Sequence, residues 1–594
     1  MSSPTTTMPR HGRPQDDATD TASVLAAPRQ SPQGRRPRLP FATPRLVVVG
    51  LLALVVLTPL LLILYQSLLS GAFFLPGATA TIEPFRFIFA DPDFYVAARN
   101  SVAIAVGMAA ISLPLGAALA FLMVRTDMPG RRWLEPLLLV PVFISPVVLA
   151  FGYVVAMGPV GFVSIWARQL LGDVPWNIYS LLSIAIVAGL THVPHVYLYA
   201  SSALRNLGSD VEEAARISGA NPFKVALHVS VPLIAPALLY AGVLMFFLGF
   251  EIFGLPLVLG DPEGHLVLTT YLYKLASKLG TPAYHLMAAV AVCIIAVTLP
   301  LVLLQRALLK HAKRYASIKG KASRQRPLML GKWKLAAVAI VFAWLLFTVL
   351  IPLGGVTLRA FVTSWGEGVN ILEVLTLDNF RQVFEDGTMV RAILNSILIG
   401  TVGGGLAVAC YTAVGLVAHR KNDALVRVTD YLVMMPRAVP GLLAGLAVFW
   451  VFLFVPFLNP ARSTLISVWV AYTVVWLAYG MRLIQSALLQ VSPELEEAAR
   501  LTGASPRRVI TDVTLPLIRN GLLASWLLVF MIFEREYSTG VYLLAPGTEV
   551  IGSVLVSLMA AGAVELVAAL SLINIVLVGA GLAIALRFGV KLHD

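Results

Sequence analysis

Long apolar blocks fill this chain, and polar residues are confined mostly to the gaps between them. LVVVGLLALVVLTPLLLIL, beginning at Leu46, carries no charge along its whole length. A helix needs about 20 apolar residues to cross a bilayer. With no water at that depth, it is the helix that satisfies its own backbone. The blocks predict twelve spans, near 46–67, 100–124, 134–157, 181–204, 233–254 and 284–308, then 335–356, 392–418, 428–455, 464–489, 517–540 and 562–587. The fold class expected is an all-α polytopic membrane protein.

Two polar gaps carry nearly the same text. EEAARISGANP starts at Glu212 and EEAARLTGASP at Glu496. At the same offset Pro222 recurs as Pro506 and Pro232 as Pro516, while FRFIF at Phe85 and NS at Asn100 recur as FRQVF at Phe380 and NS at Asn395. The chain is therefore a parallel duplication of a six-span unit. The expected division is a basic tail over 1–44, a first domain over 45–309 with its loop at 205–232, a basic linker over 310–334, and a second domain over 335–594 with its loop at 490–516. The tail is rich in Pro, Ser, Thr and Arg without apolar periodicity, and reads as disordered.

Each loop lies between the fourth and fifth spans of its half and has the grammar of a helix–turn–helix. Ser209 with Glu212 forms a capping box, and Ser492 caps a helix whose first position is Pro493. Gly219 and Gly503 stop the short helix where a left-handed residue is needed. A second short helix starts at Asn221-Pro222 or Ser505-Pro506. Val211, Ala214 and Ala215 share one face, as do Leu495, Ala498 and Ala499, while Glu213 and Glu497 stand at its edge. So short a helix takes its stability from packing against another surface.

Composition narrows the class. The chain has 594 residues, 58% hydrophobic and 13% charged, with mean hydropathy +0.83. A net charge of +13 could point to nucleic acid, but Lys and Arg collect in the tail, the linker and gaps such as RTDMPGRR and HRKND. That is the positive-inside pattern, with both termini cytoplasmic and no nucleic-acid partner. Cys293 and Cys410 sit in apolar blocks and read as core residues rather than a disulfide or metal site. No G-x-x-x-x-G-K-[ST] loop occurs, and the glycines of GTVGGGLAVAC near Gly400 read as close helix packing.

Glu-Ala-Ala, three residues, Gly, nine residues, then aliphatic-x-aliphatic-Pro resembles the signature loop of bacterial ABC importer permeases. Here it reads Glu213-Ala214-Ala215, Gly219, Val229, Val231, Pro232, and again Glu497-Ala498-Ala499, Gly503, Val513, Leu515, Pro516. Val stands where Ile or Leu is commoner. The resemblance runs from about Leu46 onward and implies two tandem six-helix permease domains of the type I importer class in the bacterial inner membrane. It implies that each loop is a coupling helix docked on one of two copies of a separate cytoplasmic ATP-binding subunit, and that a periplasmic binding protein delivers the solute. The chain itself would then be no enzyme and hold no cofactor. Fused permeases of this plan resemble the ferric-iron branch most, on EREYSTGVYLLAPGTEVIGSVLVSLMAAGAVELVAAL from Glu534 and GHLVLTTYLYKL from Gly264. Thiamine and 2-aminoethylphosphonate permeases share the plan. A gradient-driven secondary transporter is a rival reading, since six-plus-six repeats occur there too.

Charge within a span is costly and points to function. Glu251 in FLGFEIFG and Glu536 in FEREY are therefore candidate translocation-path residues, although pairing of Arg535 with a neighbouring Glu accounts for FEREY more simply. Glu565 is expected to face water near a span end. His192 and His195 lie a turn apart with Pro194 between them, which predicts a kink with polar packing rather than a metal site.

Overall fold

The computed structural model of the chain describes residues 42–207, 210–277, 282–315 and 327–587. Residues 1–41 of the tail and the centre of the linker lie outside them, and the first helix, Ala42–Ser67, begins inside the expected tail. The described residues are helical throughout, apart from turns and isolated bridges. Among the described residues nine helices are long and apolar enough to cross a membrane, or up to twelve when three sharply bent pairs each count as one span.

The bends depart from the expectation of simple spans near 233–254, 428–455 and 464–489. Pro222–Leu233 turns by 74° into Ala235–Glu251, Ala424–Arg437 by 108° into Gly441–Phe454, and Leu465–Val475 by 65° into Leu477–Leu489. The segment near 134–157 is likewise broken, into Arg131–Leu138, Val140–Phe143 and Pro146–Met157. Proline accounts for three of the four breaks. Pro236, Pro436 with Pro440, and Pro141 with Pro146 each remove a donor and place a ring against the preceding turn.

Elsewhere proline is absorbed without a break. Three π-helical turns, Ala226–Ser230, Leu346–Leu350 and Val509–Thr514, each end two residues before a proline: Pro232, Pro352 and Pro516. Widening the turn relieves the clash of the ring with the carbonyl four residues back. At Pro194 the helix Leu181–Asn206 stays whole, and the Leu190 carbonyl that the missing N–H leaves free accepts from the Trp344 indole at 3.2 Å.

That last bond joins the two halves, and so does the rest of the packing. The first span of each half lies on the opposite half. Val49, Leu52 and Val56 share a core with Val408, Tyr411, Leu432 and Met481, while Ala337, Val341 and Trp344 share one with Leu119, Leu138 and Tyr197. Each crossing is pinned at its start by an ion pair in the corresponding place. Arg45 meets Asp423 at 2.9 Å and also donates to the Val417 carbonyl; Lys334 meets Asp127 at 2.7 Å. A third and larger core joins both halves through residues such as Met108, Val148, Leu442 and Trp450. Within the second half, Gly445 lies so close to the chain at Thr539 that a Cβ there would stand 1.9 Å from the Thr539 carbonyl oxygen.

Candidate functional site

The repeated loops fold alike. Asp210–Ile217 and Pro493–Leu501 are the short first helices. Gly219 and Gly503 follow at φ +86° and +88°, with no atom near enough to clash with a Cβ, so glycine is needed there for its backbone alone. The turn is a Schellman cap in both copies: the Ala220 N–H reaches the Ala215 carbonyl, and Ala504 reaches Ala499, each at 3.0 Å. Asn221 then caps Pro222–Val225 through the Lys224 N–H at 2.8 Å, and Ser505 caps through that of Arg508 at 3.4 Å. Ser492 stands at its expected N-cap position, but its hydroxyl donates to Glu494 instead of accepting from the backbone. Ser209 of the expected capping box lies outside the described residues.

What anchors each loop is the glutamate that precedes the motif, which sequence reasoning did not single out for this. Glu212 is buried, accepts from Ser230 Oγ at 2.7 Å, and pairs with Arg125 at 3.3 Å. Arg125, itself buried at the end of Pro92–Arg125, also donates to the Leu207 carbonyl. Glu496 is buried in the corresponding place, accepting from Thr514 Oγ1 at 3.0 Å and meeting His419 at 2.7 Å, Arg420 at 3.5 Å and Arg500 at 3.6 Å. Burial alone would raise the Glu496 pKa. The hydrogen bonds from His419 and Thr514 and the charges of His419 and Arg420 outweigh it and hold the carboxyl below its usual value. Arg420 is the one described non-glycine residue with positive φ, at 55°, and it also donates to the Val491 carbonyl. A hydroxyl at the same distance along both repeats was the available signal; apart from Arg500, one turn from Glu496, the basic partners lie far off in sequence and gave none.

With one side of each helix so fixed, the other faces solvent with apolar residues on it. Ile217 is 88% exposed and its counterpart Leu501 89%; Val211 and Leu495 are about half exposed. Ala214 and Ala498 are exposed, Ala215 and Ala499 half-buried, Glu213 half-buried and Glu497 exposed. Pro232 and Pro516 are exposed beyond the π turns.

A second polar region lies on the seam between the halves. Glu251, at the end of Ala235–Glu251, accepts from the N–H of Gly441, the first residue of Gly441–Phe454. Arg535, at the end of Leu515–Arg535, reaches the other way and donates to the carbonyls of Val142 and Ile144. Each half thus ends its fifth span on the broken helix of the other, an acid on a helix N-terminus and a base on carbonyl oxygens, as the helix dipole favours. The expected pairing of Arg535 with a neighbouring Glu is not what forms: among the described residues it has no ion pair. Its neighbours are engaged elsewhere. Glu536 accepts from Ser538 Oγ, the Thr539 N–H and hydroxyl, and the Trp476 indole, and Glu534 from Asn574.

Against known proteins, residues 112–314 and 411–590 each match the family described as binding-protein-dependent transport system inner membrane component. The chain belongs to this family. It is a multi-pass ABC importer permease with two tandem copies of the domain, and so a transport component. The ferric transport system permease protein FbpB of Actinobacillus pleuropneumoniae is 23% identical over 419 residues, which are 69% of this chain and 59% of that one. This chain therefore spans less than two thirds of that relative's length. An Fe(3+)-transport system permease protein of Haemophilus influenzae is 22% identical over 72% of this chain and 76% of its own. A sulfate transport system permease protein of Synechocystis is 31% identical over only 33% of this chain and 65% of its own.

The remaining candidates in this permease have structural partners. His192 and His195 stack at 5.3 Å, and His192 Nδ1 lies 2.8 Å from the Ala188 carbonyl. Among the described residues no group of three or more His, Cys, Asp or Glu could hold a metal ion. Glu565, expected to face water, pairs with Arg359 at 2.7 Å and is only 28% exposed. Cys293 and Cys410 are free thiols, but neither is in the core as expected: Cys293 is half-buried and Cys410 exposed.

Proposed function

We propose that this permease forms the whole translocation path of an ATP-driven importer for ferric iron, with the solute delivered by a periplasmic binding protein. Both termini and both repeated loops face the cytoplasm, and the chain divides into its two halves at the basic linker 310–334. Hydrolysis belongs to two copies of a separate ATP-binding subunit, one on each loop. The observation that carries the reading is the matched pair of loop helices, each pinned by a buried glutamate and presenting a bare apolar face with Ile217 or Leu501 at its tip. A helix held rigidly on one side and left apolar on the other can transmit force from a docked partner. Glu213, Ala214, Ala215, Gly219 and Pro232, with Glu497, Ala498, Ala499, Gly503 and Pro516, shape those faces and their turns. The path follows the seam at Glu251, with Glu536 at its edge. Iron is favoured over other solutes because two relatives matched over 69% and 72% of this chain are named for ferric transport.

Purification in mild detergent from the native cell, with mass spectrometry, tests the assembly. An ATP-binding subunit at about two copies per chain is expected; a lone chain in repeated preparations refutes the reading. Glu213→Lys and Gly219→Pro should leave the chain in the membrane while ATP hydrolysis no longer drives uptake. Full uptake by both variants removes the coupling role.

A further inference from the structure

Three arginines of the second half reach the seam, and only one is satisfied. Arg535 donates to the carbonyls of Val142 and Ile144. Arg437 and Arg482 make no hydrogen bond and no ion pair with any described residue, although both are at least half-buried. Arg437 stands in the gap where Ala424–Arg437 breaks by 108° into Gly441–Phe454. Arg482 projects from Leu477–Leu489. Met435–Ala438, the turn that carries Arg437, packs against Leu477–Leu489, which carries Arg482, and the charges of both arginines reach Tyr199 of the first half, whose ring meets that of Tyr240 edge to face at 5.0 Å.

Nearby acids do not neutralise this pair. Glu251 is the acid whose charge reaches Arg437, yet its carboxylate is turned to the Gly441 N–H and stands outside ion-pair distance. Glu536 and Glu534 are held within their own half. Two unpaired guanidinium groups at membrane depth repel one another and are poorly solvated, an arrangement that marks solute pathways in membrane proteins. Broken spans at the interface between repeats are where transporters bind their solutes. Guanidinium forks beside phenol hydroxyls form a donor set that fits carboxylate, phosphate or sulfate oxygens. The same set repels a bare trivalent cation.

We propose that Arg437 and Arg482 form an anion site on the translocation path, so that the solute crosses as an oxyanion-bearing species. The oxyanion is either free or a ligand of ferric iron in a complex of net negative charge. This rests on reading the seam as the importer's path, and the two sources share the one chemistry.

Two measurements test it. The full chain in lipid nanodiscs is unfolded thermally in sulfate and in chloride of equal ionic strength. Sulfate stabilises any protein by exclusion from its surface, so the readout is the difference between variants. We expect the sulfate-induced rise in midpoint to exceed that of Arg437→Gln/Arg482→Gln by about 2 °C or more, and Arg437→Lys/Arg482→Lys to keep part of it. Equal rises in all three overturn the site. The second measurement uses cells that make the complete importer and lack other iron and sulfate uptake, given radiolabelled iron with radiolabelled citrate, or labelled sulfate. Anion label that enters with wild type and falls at least about ten-fold in the double Gln variant supports the site. Iron entering without citrate label and unaffected by the variant overturns the site and leaves ferric import standing. Sulfate entry lost in the variant, without iron entry, upholds the site and refutes the ferric assignment.

Discussion

Glu212→Ala removes one partner from a buried ion pair and should free the first loop from its half. The Arg125 and Glu212 side chains are 3% and 5% exposed, with 3.3 Å between Nε and Oε1. An exposed pair is worth about 0–1 kcal/mol. Removing one member of a buried pair costs about 3–5 kcal/mol, because the other charge stays behind unpaired. Arg125 would keep its bond to Leu207, and Ser230 has the Val225 carbonyl at 3.4 Å as a weak alternative acceptor. Neither replaces a carboxylate. At about 1.4 kcal/mol per tenfold, local opening of residues 210–233 should become roughly 100- to 4000-fold more frequent. Hydrogen–deuterium exchange of the full chain in nanodiscs reads this directly. Glu496→Ala should cost less, about 1–3 kcal/mol, because its partners Arg420 and Arg500 are 31% and 52% exposed and can turn to water. Replacing both Arg125 and Glu212 by Met should recover most of the loss. Wild-type exchange in Glu212→Ala, or a double variant no better than the single one, refutes the anchoring argument.

Three further outcomes are expected. Gly503→Ala meets no atom but must hold φ near +88°, so it should cost about 1–2 kcal/mol, seen as faster exchange confined to residues 493–516. Gly445→Ala places a Cβ 1.9 Å from the Thr539 carbonyl oxygen, and should cost at least about 1–3 kcal/mol by overpacking, lowering the thermal midpoint of the whole chain. The Glu496 pKa is depressed in the fold, so the ionised carboxylate is the form the fold favours. Its contribution is complete above the ordinary value of 4.5 and is lost as pH falls through the lowered value. Exchange in the second loop should therefore rise only below pH 4.5, and Glu496→Gln should remove that dependence.

Spans, duplication and loop caps were legible in sequence because they depend on local chemistry. Apolar runs mark helices whatever packs on them, and Gly219 and Asn221 do their work within a few residues of themselves. The breaks at Pro141, Pro146, Pro436 and Pro440 were written in sequence too, but proline also occurs in unbroken helices here, at Pro59, Pro114 and Pro194. Whether a proline breaks a helix depends on what accepts the freed backbone groups, and at Pro194 that is Trp344, far along the chain. The same limit hid the roles of Glu212 and Arg535, whose partners Arg125, Val142 and Ile144 are brought near only by the assembled bundle.

The crossed first spans bear on how such a chain is made. When a ribosome has finished only the first half, Val49, Leu52 and Val56 still lack their protein partners and can rest only against lipid. The first helix inserted is thus among the last to dock, and completion of the first half waits on residues 337–345 of the second. Exchanging one helix each makes the halves an interlocked pair rather than beads on a string. Severing the covalent connection within 316–326 should leave two fragments that still assemble when co-synthesised. Either fragment alone should be a target for quality control, because the surface built to receive its sibling's helix would stand open to the bilayer.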